Sequence, residues 1–114
     1  MLPSEREILN HIYIEAKFVV EHTKAITYDE FIENEILIRA VERSLMIIGE
    51  AAKMISEETK HELPQIEWRG MAGLRDKLIH HYFGVDYEIV WSVVTSKIPD
   101  LYSSLIEIVN RSDS

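Results

Sequence analysis

Apolar residues recur at every third or fourth position along most of the chain, and this spacing constrains the fold more than any other feature. The first segment opens at Ser4, which has capping-box spacing to Glu7, and it fades near residues 23–24. Its apolar positions form one stripe: Leu9, Ile12, Tyr13, Ala16, Val19 and Val20. No segment shows the sustained alternation of a half-buried strand. We therefore predict a single all-α domain over residues 1–114, a bundle of four to five helices.

A second capping box begins at Thr27, with Glu30 three residues later, and predicts a helical region that extends to about Glu58. Two interpretations of this region stay open: one long helix, or a short helix followed by a long one, joined near residues 33–34. Gly49 lies in the middle of the region, where glycine costs about 1 kcal/mol relative to alanine. We therefore expect another helix to pack closely against Gly49.

Prolines and glycines divide the second half of the chain. Pro64 ends the long helical region, and residues 64–70 are predicted to form a connector that Trp68 anchors. A third helix is predicted from about Met71 to Tyr82, and it stops near Gly84.

The last predicted helices follow Asp86, which has the position and chemistry of an N-cap. Pro99 either kinks this fourth helix or starts a new one that ends near Val109. Trp91 in the fourth helix, like Trp68 before it, is interpreted as a core anchor in preference to a platform for stacking bases.

The charge balance and the composition exclude several classes of protein. Twelve basic and twenty acidic side chains give a formal net charge of -8, which disfavours a protein that coats nucleic acid with its whole surface. The chain has no cysteine, so disulfides, thiolate nucleophiles and cysteine–zinc sites are excluded. Its longest apolar run, residues 45–48, is far shorter than the roughly 20 residues that a membrane span needs. We expect a soluble cytoplasmic protein without membrane association.

The densest group of potentially reactive side chains lies within residues 69–86. Arg75 and Tyr82 are seven residues apart, which places them on one face of a helix. His80 follows Asp76 by four residues, the spacing at which a carboxylate can orient an imidazole. A histidine that takes the proton of a ribose 2′-hydroxyl and an arginine that stabilises charge on the phosphate can cleave RNA without a metal. Solvated side chains at an exposed helix end would have the same spacing, so both interpretations stay open here.

A longer pattern favours the catalytic interpretation. The motif R-x4-H-x-Y occurs as Arg75-Asp76-Lys77-Leu78-Ile79-His80-His81-Tyr82, and upstream of it stands Ile47-Ile48-Gly49-Glu50-Ala51-Ala52-Lys53. Further similar segments are Arg39-Ala40-Val41-Glu42-Arg43-Ser44-Leu45, Ile66-Glu67-Trp68, Tyr82-Phe83-Gly84-Val85-Asp86 and Trp91. Together these segments resemble the HEPN superfamily in its HepT-like toxin branch, and the similarity covers nearly the whole chain.

The resemblance implies an antiparallel helical bundle that forms a two-fold dimer and acts as a metal-independent endoribonuclease, the toxin of a toxin–antitoxin pair. It makes Arg75 and His80 catalytic, with supporting or RNA-binding roles for Asp76, Lys77 and His81. It implies no metal and no cofactor. The implied partners are RNA and a nucleotidyltransferase of the MNT type, which silences the toxin by transferring AMP from ATP to Tyr82.

Some roles have alternatives. His81 gives an R-x5-H reading and could be the principal histidine in place of His80. Glu50 either enters the cleft or holds Arg39 or Arg43 in a structural ion pair, and we favour the structural role. The alternative function is a catalytically silent helical module that binds and assists a nucleotidyltransferase.

Overall fold

The computed structural model describes the backbone of residues 3–81 and 86–112, and the side chains of residues 4–78 and 86–110. Within these ranges every regular element is helical, which confirms the predicted all-α class. The α-helices are α1 Pro3–Thr23, α2 Tyr28–Glu33, α3 Glu35–Lys53, α4 Glu57–Glu62, α5 Trp68–Ala72, α6 Leu74–His81, α7 Tyr87–Ser92 and α8 Ile98–Ser112, with a π-helical segment, Val93–Lys97, between the last two. Eight α-helices in the described residues exceed the predicted four to five. Capping residues divide the second expected region, Gly73 divides the third, and the π-helical segment separates the last two α-helices.

The core forms where α1 packs against α3 and α8. The apolar stripe predicted for the first helix faces this core, since Leu9, Ile12, Ala16 and Val19 are buried, while Tyr13 and Val20 are partly buried against them. The best-buried large apolar side chains come mostly from these three long helices: Ile12, Val19, Val41, Leu45, Ile48, Ile98 and Leu105. No helix among the described residues combines the length and apolar character needed to cross a bilayer.

The junction between α2 and α3 decides between the two interpretations of the second helical region. Thr27 and Glu30 form the predicted capping box, with both reciprocal hydrogen bonds present. Asn34 then ends α2 and caps α3, because its side-chain oxygen accepts from the Leu37 amide at 3.0 Å. The short helix followed by a long one is therefore the correct interpretation.

The predicted boundaries near α4 and at the amino end of α1 were wrong. α3 ends at Lys53, before the predicted Glu58, and Ser56 caps the separate helix α4. The buried Glu5 carboxylate accepts hydrogen bonds from the Ser56 amide at 2.8 Å and from the Thr59 hydroxyl at 3.1 Å. α1 begins at Pro3, so Ser4 lies inside its first turn and does not cap it.

The connector after Pro64 is shorter than predicted. α5 already begins at Trp68, and its indole nitrogen donates to the Leu63 carbonyl at 3.0 Å, so the predicted anchoring role is confirmed. The predicted third helix is divided, because α5 ends at Ala72, Gly73 follows it, and α6 starts at Leu74.

The carboxyl-terminal helices begin as predicted. The Asp86 side chain accepts from the Glu88 amide at 3.0 Å and caps α7. Trp91 packs against Phe31 with ring centroids 5.1 Å apart, as expected of a core anchor. Pro99 lies in the first turn of α8, where a missing amide hydrogen is tolerated, and α8 continues to Ser112, beyond the predicted end at Val109.

Candidate active site

The amino end of α6 lies directly against α3, and Gly49 makes this close approach possible. A Cβ atom at Gly49 would stand 3.2 Å from the Arg75 amide nitrogen and 3.2 Å from the Met71 carbonyl oxygen. Both neighbours are backbone atoms, which cannot rotate away as a side-chain end could. The expected close packing at Gly49 is confirmed, and it fixes the backbone of Arg75 against α3.

A pair of glycine substitutions tests this contact. We expect Gly49→Ala to lower the free energy of unfolding by about 1 kcal/mol, because displacing two backbone groups costs more than the gain in helix propensity. Gly70→Ala is the matched control, since its nearest contact would be an ordinary 3.7 Å to the Glu67 side chain. We expect this control to raise the free energy of unfolding by about 0.5 kcal/mol. Urea denaturation of both variants measures the difference, and a stabilising Gly49→Ala would contradict the close approach.

The Arg75 guanidinium forms an ion pair with Glu50, with 3.0 Å between Nη1 and Oε1. The two side chains are 43% and 52% exposed, so the pair adds little to stability and mainly restricts where the guanidinium lies. A guanidinium carries five N–H donors, and the contact with Glu50 leaves others for an anion from solvent. The favoured pairing of Glu50 with Arg39 or Arg43 was wrong, because Glu50 pairs with Arg75. Arg39 pairs instead with Glu35, at 2.8 Å within α3.

α6 carries most of the predicted motif on one continuous helix. Arg75 and His80 lie in this helix, which separates their backbone positions by about 7.5 Å along the axis. Asp76 precedes His80 by about one turn, and Asp76 and Lys77 are exposed. The side chains of His80 and His81, and all of Tyr82, lie outside the described residues. The arrangement of those side chains therefore stays a prediction.

A groove of about 670 Å³ runs between α1 and α3 and reaches the ion pair. Its floor and walls include Ile8, Ile47 and the exposed side chains of Met46 and Met54, while Glu50 stands at its edge. Glu42 also lines the groove; burial raises the pKa of its carboxyl, and the nearby Arg39 charge acts in the opposite direction. Among the described side chains, residues 4–78 and 86–110, no three potential ligands of the types His, Cys, Asp and Glu are grouped to hold a metal ion.

Comparison with known proteins places this architecture in a family. The model of the family described as ribonuclease HepT-like matches residues 12–108. The chain belongs to the HepT-like ribonuclease family.

Three relatives of this HepT-like chain match over most of their length. A protein of Caldanaerobacter subterraneus, named as a candidate RNase, is 40% identical over 110 residues, which is 96% of this chain and 98% of that protein. A candidate RNase of Methanocaldococcus jannaschii is 44% identical over 104 residues, covering 91% of this chain and 86% of that protein. A Thermococcus cleftensis protein named "probable ribonuclease HepT" is 42% identical over 101 residues, covering 89% and 92%. No solved structure matches the chain.

The HepT-like fold brings together two residues that sequence analysis had left apart. Glu50 and Arg75 are 25 residues apart in the sequence, and the capping and periodicity signals that define helices carry no information about contacts at this distance. Gly49, next to Glu50, is the one local signal of the crossing. It predicts a close neighbour but not which helix provides it.

Proposed function

We propose that this HepT-like chain is a metal-independent endoribonuclease and the toxin of a toxin–antitoxin pair, with Arg75 and His80 as its catalytic residues. The observation that carries the proposal is the Arg75 guanidinium, half-exposed and held by Glu50 at the start of the helix that continues through His80. Membership in a ribonuclease family supports RNA as the substrate.

The cleavage step needs one base and one cation. His80 removes the proton from a ribose 2′-hydroxyl, and that oxygen attacks the adjacent phosphorus. Arg75 stabilises the charge that develops on the non-bridging oxygens, with donors that Glu50 does not use. The 5′-oxygen leaves and takes up a proton, so the products are a 2′,3′-cyclic phosphate and a free 5′-hydroxyl. Asp76 orients the imidazole, while Lys77 and His81 help to bind RNA.

Control of the toxin is assigned to Tyr82. Its phenolic oxygen attacks the α-phosphorus of ATP in the active site of an MNT-type nucleotidyltransferase, and pyrophosphate leaves. The attached AMP adds a negative charge and a bulky base two residues after His80. Because Arg75 and Tyr82 are seven residues apart, on one face of a helix, the AMP group would occupy the position at which the RNA phosphate binds Arg75.

The active unit is proposed to be a homodimer, as the family resemblance implies. Exposed apolar side chains on α3 and at its C-cap support this proposal, because Met46 is 40% exposed and Met54 is 67% exposed. Large apolar side chains gathered along a groove are typical of surfaces that bind another protein.

Cleavage of RNA in the presence of EDTA tests the enzymatic part of the proposal. Protein purified without its nucleotidyltransferase should cut RNA with EDTA present, because neither catalytic group needs a metal. Mass spectrometry of the fragments should show 2′,3′-cyclic phosphate ends. Cleavage that stops in EDTA would contradict the mechanism, and a protein that never cleaves RNA would favour the silent module that assists a nucleotidyltransferase.

A further inference from the structure

One face of α3, continued by the C-cap residue Met54, is turned away from the core and carries six residues of mixed character. They are Arg39, Arg43, Met46, Ile47, Glu50 and Met54, which we call the α3 stripe. On an ideal helix these positions span about 100°, and the buried Val41, Leu45, Ile48 and Ala52 lie on the opposite side. The α3 stripe is therefore the face of this helix that the core does not use.

The middle of the α3 stripe is apolar and open. Met46 is 40% exposed, Ile47 is half-buried, and both line the groove between α1 and α3. Apolar surface gathered in a groove with a charged rim is typical of a protein–protein contact. The occupant must place apolar groups at the centre and charged groups on either side of them.

The order of charges along the α3 stripe is self-complementary. Arg43 and Glu50 lie at equal distances on either side of the point between Met46 and Ile47. In an antiparallel pair of α3 helices related by a two-fold axis at that point, Arg43 of each copy lies level with Glu50 of the other. Met46 and Ile47 of both copies then meet at the axis. A parallel pair in register would instead set arginine against arginine and glutamate against glutamate.

We propose that a second copy of this chain packs antiparallel along the α3 stripe, with the two-fold axis between Met46 and Ile47. The inference rests on the homodimer of the proposed function and adds its surface, its direction and its register. Arg43 of the second copy then faces Glu50, the carboxylate that pairs with Arg75. The two Glu50 residues lie about 10 Å apart along the helix axis, so the two Arg75 sites flank a single cleft.

Cysteine cross-linking tests the register, because the natural chain has no cysteine. Met46→Cys places one thiol of each copy beside the proposed axis, within the Cα separation of under about 7 Å that a disulfide spans. Mild oxidation should therefore convert most of this variant to a covalent dimer. Ile36→Cys is the matched control, since Ile36 is 83% exposed on the same helix but about 16 Å from the axis. It should stay monomeric on a denaturing gel.

The possible outcomes test three hypotheses independently: the register of the α3 pair, the homodimer and the ribonuclease activity. Cross-linking of both variants would indicate a parallel pair or random collisions and would overturn the inference. If neither variant is cross-linked while sedimentation shows a dimer, the dimer uses another surface and the inference fails alone. Monomers throughout would overturn the homodimer as well. Cleavage of RNA by the unmodified protein is measured separately and decides the enzymatic proposal in each case.

Charge reversal gives a second measurement of the same surface. Arg43→Glu places like charges at both symmetric contacts and should raise the dimer dissociation constant at least about tenfold. The double variant Arg43→Glu with Glu50→Arg restores opposite charges and should recover most of the affinity. Sedimentation velocity is the readout, since Glu50→Arg also removes the partner of Arg75. Failure of the double variant to recover would contradict the proposed register, provided that its circular dichroism matches the wild type.

Discussion

Arg75→Ala and His80→Ala proteins should each cleave RNA about 10²–10⁴-fold more slowly than the wild type. Removing the histidine leaves no group to take the 2′-hydroxyl proton, and removing the arginine leaves the transition-state charge without its donors. Arg75→Lys should recover only part of the rate, because an ammonium keeps the charge but lacks the planar fork of donors. Initial rates on a fluorescent RNA, measured in EDTA, give the three values.

Arg6→Ala is the matched control, since Arg6 is an exposed arginine on α1 and lies outside the motif. It should cleave at close to the wild-type rate, which separates loss of the motif arginine from the loss of any one positive charge. Circular dichroism of every variant should match the wild type. Full cleavage by His80→Ala would contradict its assignment as the base, and His81→Ala would then be the variant to test.

A cell that makes the Tyr82→Phe protein together with the cognate nucleotidyltransferase should stop growing, whereas a cell with the wild-type pair should grow normally. Phenylalanine keeps the aromatic ring but removes the oxygen that accepts AMP. The variant should therefore escape modification and stay toxic. Incubation of purified wild-type protein with the transferase, ATP and magnesium should add one AMP to the Tyr82 peptide, seen by mass spectrometry. The magnesium serves the phosphoryl transfer of the partner enzyme.

Arg75→Ala in the same cell is the control for toxicity, because it should permit growth with or without the partner. Equal neutralisation of Tyr82→Phe and wild type would show that the partner acts by binding alone. The modification would then be dispensable for this protein, while cleavage by Arg75 and His80 would stand.

The boundaries that sequence analysis predicted well are those set by local hydrogen bonds. Thr27 with Glu30, and Asp86 before α7, satisfy backbone amides within three residues, so their signals are complete in the sequence. Ser56 has the same cap chemistry, but the helix after it is polar and has no apolar period to reveal it. The hydrogen bond from its amide to the Glu5 carboxylate, 51 residues away, exists only in the folded chain.

The candidate site shows the same division between local and long-range information. Spacing alone could place Arg75, Asp76 and His80 on a single helix, whereas their catalytic interpretation depended on the longer family pattern. The ion pair of Arg75 with Glu50 could not be predicted from the sequence. Arg39, Arg43 and Arg75 were all possible partners of the Glu50 carboxylate, and only the fold selects among them. The break at Gly73 was missed for a related reason, because the helical pattern continues on both sides of it.

The π-helical segment limits which insertions and deletions the chain can accept before α8. Its backbone closes with the Ile98 amide donating to the Val93 carbonyl, one residue farther back than in an α-helix. The helical run from Tyr87 to Ser112 thus contains a surplus residue, and α8 reaches the core in its present orientation because of it. Deleting one residue there would turn α8 by about 100° and expose Leu105, which is now fully buried. Homologues without the extra residue of the π-helical segment should therefore bury different positions of α8. Insertions and deletions in this segment should accordingly evolve together with the pattern of apolar residues along α8.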